Sequence, residues 1–321
     1  MLAIRFARTG GPEVLEAVQV DIPSPAAGQI LVRHQAVGLN YIDTYHRSGL
    51  YPLKLPSGIG LEAAGVVEAI GDGVTRFQVG DRVAYNGTMG AYAEAAVVPA
   101  ERAVKVPDSV SLETAAAVLL KGMTAEFLVR RCFHVKQGDR VLVHAAAGGV
   151  GQILVQWCKV LGATVIATAG GEGKLALARQ LGADHAIDYS HEDVAARITE
   201  ISGGKGVAVV YDGVGKDTWE ASFKSLARRG VLVTFGNASG PVPPFAPLEL
   251  SAKSLFVTRP RLFDYIATTE ELDESAEALF GVLAAGAVKI DIGQTFPLSE
   301  ARAAHEALEG RKTTGATLLI P

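Results

Sequence analysis

Asp139-Arg140-Val141-Leu142-Val143-His144-Ala145-Ala146-Ala147-Gly148-Gly149-Val150-Gly151-Gln152 is the stretch that decides the fold. Val141, Leu142 and Val143 form an apolar run of strand character, and a cluster of glycines follows at once. Then Val150, Ile153, Leu154, Trp157, Val160 and Leu161 recur at the i, i+3, i+4, i+7 spacing of one helix face, and Gly162 closes it. Strand, glycine turn and helix in that order present bare backbone N–H groups at a positive helix end, where a pyrophosphate binds. Gly149 lets the backbone approach the phosphates, and Gly151 lets helix and strand pack closely. A tight corner alone is the competing reading, since Ala146 replaces the first glycine of G-x-G-x-x-G.

The surrounding chain favours the nucleotide. Between about residues 124 and 260, short β-prone runs alternate with helical stretches: strands at 141–144, 164–168, 186–189, 207–212, 231–236 and 255–258. Helices are expected at 150–161, up to Leu181, at 192–201 and at 219–228. Such alternation means a doubly wound parallel sheet, whose ligand crevice lies outside the carboxyl ends of the strands. The first 120 residues differ. Runs at 3–6, 30–37, 65–70, 82–84 and 95–98 are separated by turn signals such as Gly71-Asp72-Gly73, which points to a compact all-β or barrel-like unit. After residue 260 come a helix at 269–285, a strand at 289–292, a helix at 299–309 and a strand at 317–320, which could return to the N-terminal unit.

A length of 321 residues suggests about two domains. With 49% hydrophobic and 20% charged residues the composition is that of a soluble globular protein. A net charge of −4 offers nucleic acid or an anionic membrane no electrostatic attraction. No apolar run approaches a spanning helix, and the N-terminus reads as a strand rather than a signal peptide, so the cytoplasm is the expected location. Cys132 and Cys158 cannot build a disulfide framework or a zinc site by themselves.

The second strand, 164–168, ends in Thr168-Ala169-Gly170-Gly171 with no acid at its tip to take a ribose 2′-hydroxyl. Lys174, just beyond, suits a 2′-phosphate, so NADP is the expected cofactor. Glu172 opposes this reading if its loop bends inward.

Over essentially its whole length the chain resembles the quinone oxidoreductase (zeta-crystallin-like) branch of the medium-chain dehydrogenase/reductase superfamily, and is especially similar to bacterial NADPH:quinone reductases. The likeness lies in Asn40-Tyr41-Ile42-Asp43-Thr44-Tyr45, Gly60-Leu61-Glu62-Ala63-Ala64-Gly65-Val66, His144 to Gly151, Tyr211-Asp212-Gly213-Val214-Gly215 and Phe235-Gly236-Asn237. It implies an α/β protein: a GroES-like β-barrel catalytic domain from residues 1–123 and 261–321, and a Rossmann doubly wound parallel sheet at 124–260 that binds NADP. It also implies a cleft for nicotinamide and substrate, and a homodimer joined through the nucleotide domains.

The resemblance assigns Gly148, Gly149 and Val150 to the pyrophosphate. It assigns Lys174 and Tyr189 to the 2′-phosphate, within a loop of Gly170, Gly171 and Gly173. Asn40, Ile42, Tyr45 and Thr124 fall at the nicotinamide end, supported by Phe235 and Asn237, and Arg311 matches a C-terminal cofactor contact.

Zinc-dependent relatives carry Gly-His-Glu where this chain has Gly60-Leu61-Glu62, and they need a cysteine ligand earlier, whereas no cysteine here precedes Cys132. Zinc wants about four N, S or O ligands, so no metal is expected. Without that Lewis acid, hydride must go to an acceptor that is already electrophilic, a quinone or an activated C=C bond. Asn40, Tyr45 and Tyr51 are the candidate catalytic residues, able to orient the acceptor or pass a proton. The tyrosines could equally be aromatic walls, and Asn40 a helix cap. Reduction of quinones by NADPH is the expected activity. An enal or enone double-bond reductase is the alternative within the class, and an NADPH- or RNA-binding crystallin-like protein with little turnover is the alternative outside it.

Overall fold

In the computed structural model, which describes residues 1–310 and 312–321, the chain forms two units. One comprises Met1–Met123, Ile266–Ala284 and Ile290–Pro321, and the other Thr124–Tyr265 with Ala285–Lys289. The chain begins with strands β1 (Leu2–Phe6), β2 (Glu16–Gln19) and β3 (Gln29–Leu39), helix α1 (Tyr41–Ser48) and strand β4 (Ser57–Gly58). Strands β5 (Glu62–Ile70), β6 (Arg82–Asn86), β7 (Ala95–Pro99) and β8 (Ala103–Lys105) and helix α2 (Leu112–Phe127) come next. The second unit continues with β9 (Arg140–Val143), α3 (Gly149–Val160), β10 (Thr164–Ala169), α4 (Glu172–Gln180), β11 (His185–Asp188) and α5 (Val194–Ser202). It goes on through β12 (Val207–Asp212), α6 (Trp219–Ser225), β13 (Leu226–Thr234), β14 (Phe256–Thr258) and α7 (Leu262–Tyr265). The last elements are α8 (Thr269–Ala284), β15 (Ile292–Pro297), α9 (Ala301–Glu309) and β16 (Ala316–Ile320).

In the second unit the strands lie in the order β11-β10-β9-β12-β13-β14, and every pairing is parallel. Counted along this unit that is 3-2-1-4-5-6, the dinucleotide-binding order, with its switch between β9 and β12. Leu142, Ile166, Val210 and Leu232 from four adjacent strands sit at or below 1% exposure, as a parallel sheet covered on both faces requires. One boundary departs from the sequence expectation. The helix expected over 219–228 ends at Ser225, and β13 starts at Leu226 rather than Val231. Leu226 is fully buried and pairs with Val207, so burial wins over helical spacing, and a register shift then absorbs the exposed Arg228 and Arg229.

The first unit is built on a seven-stranded sheet, β15-β16-β3-β5-β6-β8 with β7 also paired to β3, and on a three-stranded sheet β2-β1-β4. Ile30, Val32, Val37, Ala63, Val83 and Leu319 share its core. The final strand does return here, β16 lying antiparallel to β3 with Thr317 opposite Leu39. The strand expected at 289–292 instead runs from Ile292 to Pro297, parallel to β16. Lys289 cannot join it, because the Gln156 side chain holds both its backbone N–H (2.8 Å) and its carbonyl (2.9 Å).

Candidate active site

The glycine turn follows β9 directly. Gly148 is the extended N-cap residue of α3, and Gly149 and Val150 are its first helical residues, all half-buried. A Cβ on Gly151 would overlap the Ala145 carbonyl oxygen, so only glycine lets the helix start this close to the turn. This half-buried helix start offers its N–H groups at the carboxyl end of the central strand, a fit for a pyrophosphate.

The loops after β10 and β11 meet beside it. Gly170 lies against Tyr189, where a Cβ would come within 2.8 Å of the phenol oxygen. Gly171 needs its glycine for another reason, a φ of 86°. Asp188 accepts the Ser190 N–H at 2.9 Å and the Gly171 N–H at 3.5 Å, tying the two loops, and these backbone donors together with His191 hold its carboxyl down at about 2. Gly173 and Lys174 lie in the first turn of α4. Glu172 is engaged by Arg179 at 2.7 Å along the same helix, so its carboxylate faces a guanidinium. After β13, Phe235 packs over Gly213, and the Asn237 amide lies beside the Gly236 carbonyl and the Arg259 guanidinium. These residues all follow strand carboxyl ends. Thr124 is buried in α2, and Arg311 lies outside the described residues.

A buried polar cluster that the sequence did not disclose braces the turn. His144 meets Thr168 Oγ1 at Nδ1 (2.9 Å) and Ser222 Oγ at Nε2 (2.9 Å), and Ser222 donates to Asp212 at 2.7 Å. Burial lowers the His144 pKa and keeps it neutral. With the serine proton spent on Asp212, Nε2–H donates to Ser222 and Nδ1 accepts from Thr168. This cluster ties β9, β10, β12 and α6 together just behind the glycines.

In the first unit Asn40 sits at the N-cap of α1, buried at 5% exposure. Its backbone N–H donates to Asp43 Oδ2 (2.9 Å), but its side-chain amide turns to Glu62 Oε2 (2.8 Å). Ile42 and Tyr45 follow on the same helix, and Tyr45 packs edge-on to Tyr51 with ring centroids 5.3 Å apart. The Tyr51 N–H donates to the Tyr45 carbonyl at 3.0 Å, which fixes the two rings as one aromatic group. Beneath α1 runs a buried chain. Tyr92 donates to Asp43 (2.9 Å) and meets His305 Nε2 (3.2 Å), while Arg47 reaches His305 Nδ1 (2.9 Å) and Glu309 (2.7 Å). Burial pushes the Asp43 carboxyl up to about 7, and burial, aided by Arg47, pushes His305 down to about 3. Leu61 is buried at the position before Glu62, and among the described residues no three His, Cys, Asp or Glu side chains are grouped to hold a metal.

A GroES-like unit joined to a doubly wound parallel sheet defines a medium-chain dehydrogenase/reductase. The family model of the alcohol dehydrogenase GroES-like domain matches residues 26–108, and that of the zinc-binding dehydrogenases matches residues 149–280. A quinone oxidoreductase of Pseudomonas aeruginosa is 52% identical over 99% of both chains. A solved structure of Escherichia coli quinone oxidoreductase complexed with NADPH superposes with a TM-score of 0.98 at 48% identity, covering 100% of each chain. A 2-haloacrylate reductase of a Burkholderia species is 44% identical over 100% of this chain and 99% of its own. The chain belongs to the quinone oxidoreductase family. Among the described residues no helix is long and apolar enough to cross a membrane.

Proposed function

We propose that this enzyme transfers reducing equivalents from NADPH to quinones without zinc. The observation that carries the reading is the full-length match to the NADPH-complexed quinone oxidoreductase of Escherichia coli. It is supported by the anion-accepting start of α3 and by the engagement of Glu172 with Arg179. Residues 1–123 and 261–321 are proposed as the GroES-like catalytic domain and 124–260 as the NADP-binding domain.

NADPH, when bound, supplies the hydride. Gly148, Gly149 and Val150 hold the pyrophosphate by backbone N–H groups. Lys174 and Tyr189 hold the 2′-phosphate within the Gly170, Gly171 and Gly173 loop, Lys174 by a charge-assisted bond. Asn40, Ile42, Tyr45 and Thr124 orient the nicotinamide end, Phe235 and Asn237 support it, and Arg311 adds a contact from the C-terminal segment. Asn40, Tyr45 and Tyr51 orient an acceptor oxygen, and proximity with exclusion of water does the rest. The apolar Leu61 and the lack of grouped ligands among the described residues support chemistry on an acceptor that needs no Lewis acid.

The resemblance to 2-haloacrylate reductase favours activated C=C bonds as a second acceptor class. The chain is further proposed to be cytoplasmic and to dimerise through the nucleotide-binding unit, whose outer strand β14 pairs on one side with β13 and carries Phe256 at 60% exposure. The test is NADPH oxidation with a quinone and with a 2-alkenal, before and after chelation, with product analysis and elemental analysis. Quinone turnover that survives chelation is expected. A tightly held zinc whose removal abolishes activity, or turnover of the alkenal alone, overturns the reading.

A further inference from the structure

Glu62, at the start of β5, has no exposed surface. A buried carboxylate survives only when its oxygens are paired and hydrogen-bonded. Here Oε1 accepts the Leu120 N–H at 2.6 Å, and Oε2 accepts the Asn40 amide at 2.8 Å and faces Lys121 Nζ at 3.4 Å. The fold makes room for it. A Cβ on Gly38, in the neighbouring strand β3, would overlap both Glu62 Oε2 and the Ala116 carbonyl.

An asparagine amide is two-faced, and which end points where is decided by its partners. An ionised glutamate only accepts, so the NH2 of Asn40 must face Glu62, and Oδ1 must then face the other way. We propose that Glu62, neutralised by Lys121, is a positioning residue that orients the Asn40 amide so that Oδ1 accepts a hydroxyl of the bound dihydronicotinamide nucleotide. This rests on the NADPH-dependent reading above. The competing role for Glu62 is purely structural, a staple between β5 and α2 through the Leu120 N–H.

A charge-swap cycle separates the two. In Glu62→Gln the introduced NH2 faces the Asn40 NH2, so the Asn40 amide turns over and presents a donor where an acceptor stood. In Asn40→Asp two carboxylates oppose each other. Each single variant should lose about tenfold or more in NADPH affinity, the size of one lost hydrogen bond with an unpaired buried group. In the double variant Asn40→Asp/Glu62→Gln, the amide introduced at position 62 donates to one oxygen of the carboxylate introduced at position 40. The other oxygen of that carboxylate then stands where Oδ1 was. The net charge beside Lys121 is unchanged, so affinity should return to within a few-fold of the parent.

NADPH affinity by fluorescence, the melting temperature of each ligand-free variant, and kcat with a quinone are the readouts. A double variant tighter than both singles supports the proposal, and should Glu62→Gln fail to fold, Asn40→Asp against the double variant still decides it. A Glu62→Gln protein that binds NADPH as the parent does, or a double variant no better than the worse single, overturns it. If the unmutated enzyme neither binds NADPH nor reduces quinones, the underlying reading falls first, a result distinct from either.

Discussion

Lys174 and Glu172 sit two positions apart, and their opposite charges decide what cofactor preference to expect of each. Glu172 is held along α4 by Arg179, while Lys174 stands in the same helical turn, after the loop that meets Tyr189. A charge-assisted bond to a phosphate contributes about 1.5–3 kcal/mol. Lys174→Ala should therefore weaken NADPH roughly ten- to a hundredfold and leave NADH nearly unchanged. KM values for both cofactors check this, and equal losses would make Lys174 a support of the fold. The tyrosines call for a milder result. Tyr45 and Tyr51 stack edge-to-face, and a reduced quinone can take its protons from water, so Phe at either position should leave turnover within a few-fold. A loss of about 10²–10⁴ with the fold intact would mean proton delivery by that phenol. At this scale the sequence disclosed Asn40, Lys174 and the tyrosines as residues. It could not disclose that Asn40 spends its amide on Glu62 rather than on the cap, because those partners lie 22 positions apart.

Among the elements, the start of α3 carries the sharpest expectation. Gly151→Ala places a methyl group into the Ala145 carbonyl, and the helix must move away from its turn. Overpacking of this kind costs about 1–3 kcal/mol. The variant should melt several degrees lower and bind NADPH more weakly, as a thermal melt with and without NADPH would show; unchanged values in both would mean the turn yields freely. The strands and helices of the second unit were largely legible, because 3.6-residue and β-run patterns are local. The two displaced strands were not. Leu226 joins β13 because Val207 waits beside it, and Lys289 is withheld from β15 by Gln156. Both outcomes depend on partners that no local window contains.

For the whole molecule, acid should be destabilising. His34 and His305 are buried neutral, pushed down to about 4 and about 3 by burial. Folded pKa values below the unfolded value of about 6.5 mean stability present above pH 6.5 and lost as pH falls toward those values. Between pH 7 and 5 each histidine withdraws about 2 kcal/mol. Asp43 opposes them, because its raised pKa of about 7 makes the folded state bind a proton that the unfolded chain has released. A net fall in melting temperature from pH 7 to 5 is expected by calorimetry, and His34→Gln should flatten it; a rise on acidification would show Asp43 dominating.

The sequence by itself determined the strand–glycine–helix unit, the parallel sheet and the family likeness, because these rest on short-range spacing and chain order. Only the tertiary structure decided how the buried polar residues of each unit are used. His144, Asp212 and Ser222 converge from three elements, as do Asn40, Glu62 and Lys121. A buried charge or amide must find its partner wherever the fold brings one, and that requirement leaves no period in the sequence.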